Sequence, residues 1–166
     1  MVTSVDSVDG LTGVMRAGAR VKFLFFWGHQ PQRDGSIGPG CLSQWWPAPF
    51  TIDGQRFATA AKDLNPAHPH AAKTLGRQVA GFDQQVWEEH RYDIVVAGSV
   101  AKFGQHPALR TYLLGTGERV LVEASPLDRV WGIGLAVDHP HATDPARWHG
   151  LSLDPPMKAG SAGARR

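Results

Sequence analysis

Three apolar segments of the chain have the residue pattern of short β-strands. Phe23–Trp27 and Val120–Ala124 are rich in aromatic and branched side chains, whereas Gly28–Gly40 contains so much glycine and proline that it predicts a loop. An Asp53-Gly54 pair divides Phe50–Phe57 into two short β-prone runs, and Asp-Gly in that position is a strong signal for a two-residue hairpin. The pattern therefore predicts one hairpin and two further strands.

The remaining apolar positions recur at helical spacing. Ala71–Val79 predicts a first helix, and Asp83 is placed to cap a longer helix that runs to Phe103 and ends at Gly104. Pro107–Leu114 predicts a short helix that follows it. The expected core positions of the long helix are Trp87, Ile94, Ala97 and Ala101.

These elements predict an α+β fold, mainly helical, with a few short antiparallel strands. The chain of 166 residues is long enough for a single domain, which we place at residues 21–153. Residues 1–20 lack a sustained period and predict a flexible leader, and residues 154–166 lack hydrophobic anchors and predict a disordered tail.

The charge, cysteine and aromatic content of the chain limit the functions that it can be expected to have. Seventeen Lys and Arg against fifteen Asp and Glu give a net charge of +2, too small to predict nucleic-acid binding from charge alone. The single cysteine, Cys41, forbids an intrachain disulfide, and no signal sequence or membrane-length apolar run is present, so a cytoplasmic location is expected. Six tryptophans and nineteen glycines instead predict aromatic walls joined by tight turns.

One carboxylate and one indole lie close together after the last predicted strand. Ser125-Pro126 predicts a helix start, which would place Asp128 and Trp131 one helical turn apart and facing the same way. Such a pair suits a flat, charged ligand, since an indole stacks on a heterocycle. The alternative is that Trp131 anchors the core and Asp128 only caps the turn.

Histidine pairs raise the question of a metal site. His68-Pro-His70 and His139-Pro-His141 are similar, and His149 lies near the second pair in sequence. No cysteine or carboxylate joins them at a ligand spacing, and the prolines favour surface loops. We therefore expect no metal.

Several short motifs follow one another along the chain from Phe26 to about Gly150. They are Phe26–His29, Leu42–Phe50, the Asp53-Gly54 pair, Ala72–Arg77, Trp87, Ala101–Phe103 and Asp128–Gly132. In this order and spacing, which cover most of the chain, they resemble the NADAR family, which includes the YbiA-like N-glycosidases.

The resemblance implies hydrolysis of an N-glycosidic bond. Similar proteins cleave phosphoribosylated pyrimidine intermediates of riboflavin biosynthesis, and relatives are linked to removal of ADP-ribose from guanine bases. The implied substrate is thus a small phosphoribosyl or ADP-ribosyl compound. Nucleic acid would be a partner only when it carries ADP-ribose. Cleavage needs stabilisation of a departing base and of an oxocarbenium-like ribose, which carboxylates and aromatic faces provide without a cofactor.

Motif positions shared with the family imply a set of site residues. Asp128 would polarise the water or the ribose, while the indoles of Trp87 and Trp131 would stack on the substrate. Arg77 and Lys102 would contact phosphate, although exposed cations are more often only solvated. The implied catalytic residues are Asp128, Trp131 and Trp87, and the implied substrate-binding residues are Trp46, Arg77, Lys102 and Gly132.

The chain departs from the family pattern in two places. Ala61 stands where the resemblance implies a catalytic glutamate that opens a helix, and a helix-length segment before Pro66 is missing. Asp63 is the nearest carboxylate that could substitute for this glutamate. The second departure is at the C-terminus, where a Pro-containing sequence from Asp154 replaces the apolar helix that closes the family domain. Two hypotheses stay open: an N-glycoside hydrolase, and an impaired relative that binds ADP-ribose or NAD-like ligands without cleaving them.

Overall fold

A computed structural model of the chain describes residues 7–60, 81 and 83–150. The chain divides into two compact units, residues 1–27 with 112–166 and residues 28–111. The predicted helix Ala71–Val79, the departure at Ala61 and the predicted tail lie outside the described residues. Within the described part, no helix combines the length and hydropathy needed to cross a bilayer.

The structure contains three α-helices and four short strands among the described residues. In chain order they are α1 (Val8–Arg16), β1 (Phe23–Phe26), β2 (Phe50–Ile52), β3 (Gln55–Phe57), α2 (Gln84–Gln105), α3 (Pro107–Gly115) and β4 (Val120–Glu123). Two 3₁₀ helices, Pro39–Leu42 and Pro145–Arg147, complete the set. The predicted α+β, mainly helical fold is confirmed.

The core of the first unit is built on β1 and β4, which pair in parallel with Phe23 opposite Val120 and Phe26 opposite Glu123. Antiparallel strands were expected throughout, but these two strands are far apart in sequence and the long connection allows parallel pairing. The hydrophobic core beside them consists of Val122, Ala124, Ile133, Leu135 and Ala142, against which Phe23, Phe25, Val120 and Trp148 pack.

Helix α1 corrects the expectation of a flexible leader over residues 1–20. Ser7 is the N-cap, and its hydroxyl accepts a hydrogen bond from the Gly10 amide at 3.1 Å. Leu11 is buried, and α1 contacts the 3₁₀ helix Pro145–Arg147. Because a serine cap and one buried leucine are weak signals, the sequence pattern did not reveal this helix. The domain boundaries at residues 20 and 153 remain predictions.

The second unit contains the hairpin that the sequence predicts. Strands β2 and β3 are antiparallel, and the turn residues Asp53 and Gly54 both have positive φ, at 49° and 80°. These angles match a type I′ turn, which Asp-Gly favours. Phe50 and Phe57 stand opposite each other and their rings stack at 5.4 Å between centroids.

Helix α2 begins as predicted, since the Asp83 carboxylate accepts hydrogen bonds from the Gln85 and Val86 amides at 2.8 and 3.2 Å. It ends at Gln105 rather than at Phe103. Of the four expected core positions, Trp87 and Ala101 are half-buried, whereas Ile94 is 51% exposed and Ala97 is also exposed. The buried positions lie about one residue further on, at Val95, Gly98, Ser99, Lys102 and Phe103.

Side chains at the end of α2 fix it to β2. The Gln105 amide group accepts from the Thr51 backbone N–H at 2.9 Å and donates to the Thr51 carbonyl at 2.7 Å. His106 Nε2 lies 2.7 Å from the Pro49 carbonyl oxygen. The side chain of Gln105 therefore satisfies backbone groups of β2, as a neighbouring strand would.

In the first unit, a glycine-rich segment continues the hydrogen bonding of β4. The Ile133 amide donates to the Glu123 carbonyl at 3.0 Å, and the Ile133 carbonyl accepts from the His149 and Gly150 amides at 2.9 and 3.0 Å. A Cβ added at Gly132 would lie 2.8 Å from the Asp128 carbonyl oxygen, which is too close for any side chain. Glycine at this position therefore allows the chain to pass close to its own backbone.

We predict that Gly132→Ala lowers the free energy of unfolding by about 1 to 3 kcal/mol, because the backbone around residue 132 must shift. Gly13→Ala is the matched control, since Gly13 lies in α1 with no atom within 4 Å of an added Cβ. That change should be neutral or stabilise by up to about 1 kcal/mol. Urea unfolding measures both, and equal midpoints would contradict the close packing at Gly132.

Candidate active site

The segment after β4 folds into a hydrogen-bonded turn. The Ser125 hydroxyl accepts from the Asp128 amide at 3.1 Å, and Asp128 Oδ1 accepts from the Val130 and Trp131 amides at 2.8 and 3.0 Å. The helix predicted from Ser125-Pro126 is therefore wrong, because no helix forms there. Short polar side chains that bind nearby backbone amides compete with helical hydrogen bonding.

This turn holds the carboxylate of Asp128 in one orientation. Both side-chain hydrogen bonds that the described residues make to Asp128 end on Oδ1, and none ends on Oδ2. Asp128 and Trp131 are each half-buried, and they are linked through the backbone of Trp131 rather than through a shared helix face. The carboxylate of Asp128 caps the turn, which is the structural role that the sequence left open as an alternative. The same hydrogen bonds fix the position of the carboxylate.

The turn lies at the carboxyl edge of the parallel strand pair. Glu123 is the last residue of β4, and the Ala124 amide still donates to the Phe26 carbonyl at 2.9 Å before the chain enters the turn. The carboxylate of Asp128 therefore lies five residues after the carboxyl end of β4.

In the second unit, Lys102 is a buried cation. Its side chain is 1% exposed, and Nζ donates to the carbonyl oxygens of Cys41 and Ser43 at 2.6 and 2.7 Å. The ammonium also lies 4.8 Å from the centroid of the Phe103 ring. The alternative of a merely solvated cation is excluded by this burial, while a phosphate contact by Lys102 stays a prediction.

The carbonyl groups bound by Lys102 belong to the segment that carries two adjacent tryptophans. The Ser43 carbonyl also accepts from the Trp46 amide at 3.1 Å, and the Ser43 hydroxyl accepts from the Trp45 amide at 3.2 Å. Trp46 is only 9% exposed. Lys102 therefore fixes the backbone from which both indoles extend, a role that the sequence motif alone did not indicate.

Cys41 lies in the same buried cluster and is fully buried. Burial raises the pKa of its thiol from 9.0 to about 11, and the nearby Lys102 ammonium offsets part of that increase. Cys41 is thus a protonated core side chain at neutral pH, and its thiol is not suited to act as a nucleophile.

The other expected site residues are distributed between the two units. Asp128, Trp131 and Gly132 belong to the first unit, whereas Trp46, Trp87 and Lys102 belong to the second. Trp87 is half-buried near the start of α2, and Arg77 lies outside the described residues. The structure brings Asp128, Trp131 and Gly132 together in one turn. The convergence of Trp87 with this group stays a prediction.

Comparison with known proteins identifies the family. A family model described as the NADAR domain matches residues 55–153. The chain belongs to the NADAR family. It is 33% identical to N-glycosidase R617 of Acanthamoeba polyphaga mimivirus, with 80% of this chain and 89% of that protein covered.

Two further comparisons agree with membership of the NADAR family. The chloroplastic riboflavin biosynthesis protein PYRR of Zea mays is 40% identical over 40% of this chain, which corresponds to 11% of that protein. The NMR structure of the E. coli protein YbiA is similar in fold, with a TM-score of 0.51, 25% identity, and 70% of this chain and 76% of that chain covered.

The histidines do not form a metal cluster in the described part of this NADAR protein. The rings of His139 and His141 are 5.4 Å apart, and the His141 amide donates to His139 Nδ1 at 3.2 Å. No group of three or more potential metal ligands occurs among the described residues. His68 and His70 lie outside them.

We predict that Lys102→Met lowers the free energy of unfolding by at least about 1 to 3 kcal/mol, since two buried carbonyl groups lose a charged donor. Lys22→Met is the control, because Lys22 is exposed and its side chain makes no described contact. That change should stay within about 0.5 kcal/mol of the parent chain. Equal loss in both variants, measured by urea unfolding, would show that Lys102 contributes no more than a surface lysine.

A second prediction concerns pH. The Cys41 thiol has a raised pKa in the folded state, so its contribution to stability is complete below pH 9.0 and is lost as the pH rises toward about 11. The free energy of unfolding of the parent chain should therefore fall more steeply over this window than that of Cys41→Ser. Parallel curves for the two proteins would contradict the burial of a protonated thiol.

Proposed function

We propose that this NADAR protein hydrolyses the N-glycosidic bond between a heterocyclic base and a phosphorylated ribose. The observation that carries the proposal is the similarity to N-glycosidase R617, which extends over 89% of that protein. The fixed carboxylate of Asp128 supplies a group that the chemistry needs. The names of the PYRR relatives support riboflavin biosynthesis as the source of the substrate.

The role that we propose for Asp128 follows from its hydrogen bonds. Two backbone amides bind Oδ1, so the carboxylate needs no reorganisation when substrate arrives. Oδ2 can then accept a proton from the attacking water or stabilise positive charge on the ribose as the base departs. A carboxylate held in this way acts as an acceptor, so another group or solvent protonates the base.

We propose a phosphoribosylated aminopyrimidine as the preferred substrate and an ADP-ribosylated base as the second candidate. Both join a flat base to a phosphorylated ribose, and the indole of Trp131, in the same turn as Asp128, would stack on such a substrate. The contacts that the family resemblance implies for Trp87, Trp46, Arg77 and Lys102 stay predictions, and the burial of Lys102 on two backbone carbonyls favours a structural role for that residue. Neither reaction requires a metal or a redox cofactor.

Incubation of the purified chain with ribosylaminouracil 5′-phosphate tests the proposal. We expect release of free ribose 5-phosphate and of the aminopyrimidine. Chromatography of the reaction mixture measures both products. An oligonucleotide that carries ADP-ribose on guanine tests the second substrate class. If both compounds remain intact while enzyme-free samples behave identically, the hydrolase proposal is wrong.

A binding module remains the alternative function, because Ala61 stands where the family resemblance implies a catalytic glutamate. In that case ADP-ribose or an NAD-like ligand would bind without release of a product. Calorimetric titration with ADP-ribose, combined with the turnover assay, separates the two functions. Binding of ADP-ribose without turnover favours the binding module. Turnover of either substrate would show that the protein is an enzyme and not only a binding module.

We predict that Asp128→Asn lowers kcat by about two to four powers of ten, the usual contribution of a general acid or base. Substrate affinity should be nearly unchanged, because the Asn side-chain oxygen can still accept the Val130 and Trp131 amides. Asp138→Asn is the matched control, since Asp138 is exposed on another turn of the same unit.

Thermal melts should show that both variants remain folded. Wild-type kcat in Asp128→Asn would remove Asp128 from the mechanism. A large loss in Asp138→Asn would show that the effect is not specific to the turn.

A further inference from the structure

One large aromatic side chain in the first unit is exposed without an evident structural role. Trp27 directly follows β1 and is 65% exposed, whereas Trp131 and Trp148 in the same unit are half-buried. Tryptophan is usually well buried, since its indole presents a large apolar surface to water. An indole with this exposure keeps a large aromatic surface available for contact with a ligand.

Strand register fixes the position of Trp27 relative to the Asp128 turn. Phe26 stands opposite Glu123, and its carbonyl accepts the Ala124 amide at 2.9 Å. Trp27 is thus the first residue beyond the ladder on β1, at the edge where β4 passes into Ser125 and the turn. Paired strands lie about 4.8 Å apart, so the backbone of Trp27 is about one strand spacing from the start of the turn.

The neighbours of Trp27 leave its ring uncrowded. Gly28 follows with a φ of +76°, so the chain changes direction directly after the indole and adds no side chain there. Ala124, directly after β4, is small and buried. An indole at a strand end with small neighbours can offer a face to a flat ligand.

We propose that Trp27 is a further substrate-binding residue, on whose indole the base of the substrate stacks while Asp128 acts at the ribose. The inference rests on the proposed function and adds a residue that determines specificity for the base. Nothing in this role requires the phosphate, so Trp27 should distinguish ligands with a base from ligands without one.

Inhibition by the two separate products tests this role. In Trp27→Ala, the inhibition constant of the free aminopyrimidine should rise about tenfold or more, as is typical when a stacking aromatic is removed. The inhibition constant of ribose 5-phosphate should change less than about twofold. Trp27→Phe keeps an aromatic face and should retain most of the affinity for the aminopyrimidine.

Leu114→Ala is the control variant. Leu114 is 49% exposed and lies near the end of α3. The chain continues from α3 to the amino end of β4, whereas Trp27 follows the carboxyl end of β1. This change should alter neither inhibition constant. The melting temperatures of all three variants should equal that of the parent chain, because the substituted side chains are exposed.

The outcomes separate this proposal from the hydrolase proposal. If the parent chain shows no turnover, the hydrolase proposal fails. Direct titration of the aminopyrimidine into the parent and Trp27→Ala chains still tests stacking, because the dissociation constant of the variant should be about tenfold higher or more. Equal weakening of both products, or no change in either, in Trp27→Ala would overturn the assignment of Trp27 to the base.

Discussion

The double hydrogen bond from the Val130 and Trp131 amides to Asp128 Oδ1 determines the architecture at the end of β4. It stops the chain from forming a helix and directs it into the segment in which Ile133 bonds back to Glu123. Glycine at position 132 is required because the chain then passes close to the Asp128 carbonyl. One oxygen of the carboxylate thus shapes the turn, and the other is the oxygen to which we assign the proposed chemistry.

Local signals in the sequence were sufficient for the hairpin and for the start of α2. The Asp53-Gly54 turn and the Asp83 cap each depend on backbone groups within a few residues, so their sequence patterns are direct. The Asp128 turn was mistaken for a helix because serine and aspartate both cap helices and compete with them. The parallel pairing of β1 and β4 depends on residues distant in sequence, which periodicity does not detect.

The burial of Lys102 shows how a lysine in a binding motif can serve the scaffold. Its position fits the buried stripe of α2, but a lysine on a helix is expected to be solvated. The carbonyl groups of Cys41 and Ser43 that accept its hydrogen bonds lie in and directly after a short 3₁₀ helix, where the sequence has no periodic pattern. Burial of Cys41 beside Lys102 raises the pKa of its thiol, which is therefore protonated at neutral pH. In the second unit, therefore, the cation organises the segment that carries Trp45 and Trp46.

A crystal structure of Asp128→Asn with intact ribosylaminouracil 5′-phosphate tests the central claim most directly. The side-chain amide nitrogen of residue 128, which takes the place of Oδ2 in this variant, should lie within hydrogen-bond reach, about 2.6 to 3.2 Å, of the attacking water or of the ribose hydroxyl next to the anomeric carbon. A substrate bound with its anomeric carbon away from residue 128, and with no water between them, would contradict it.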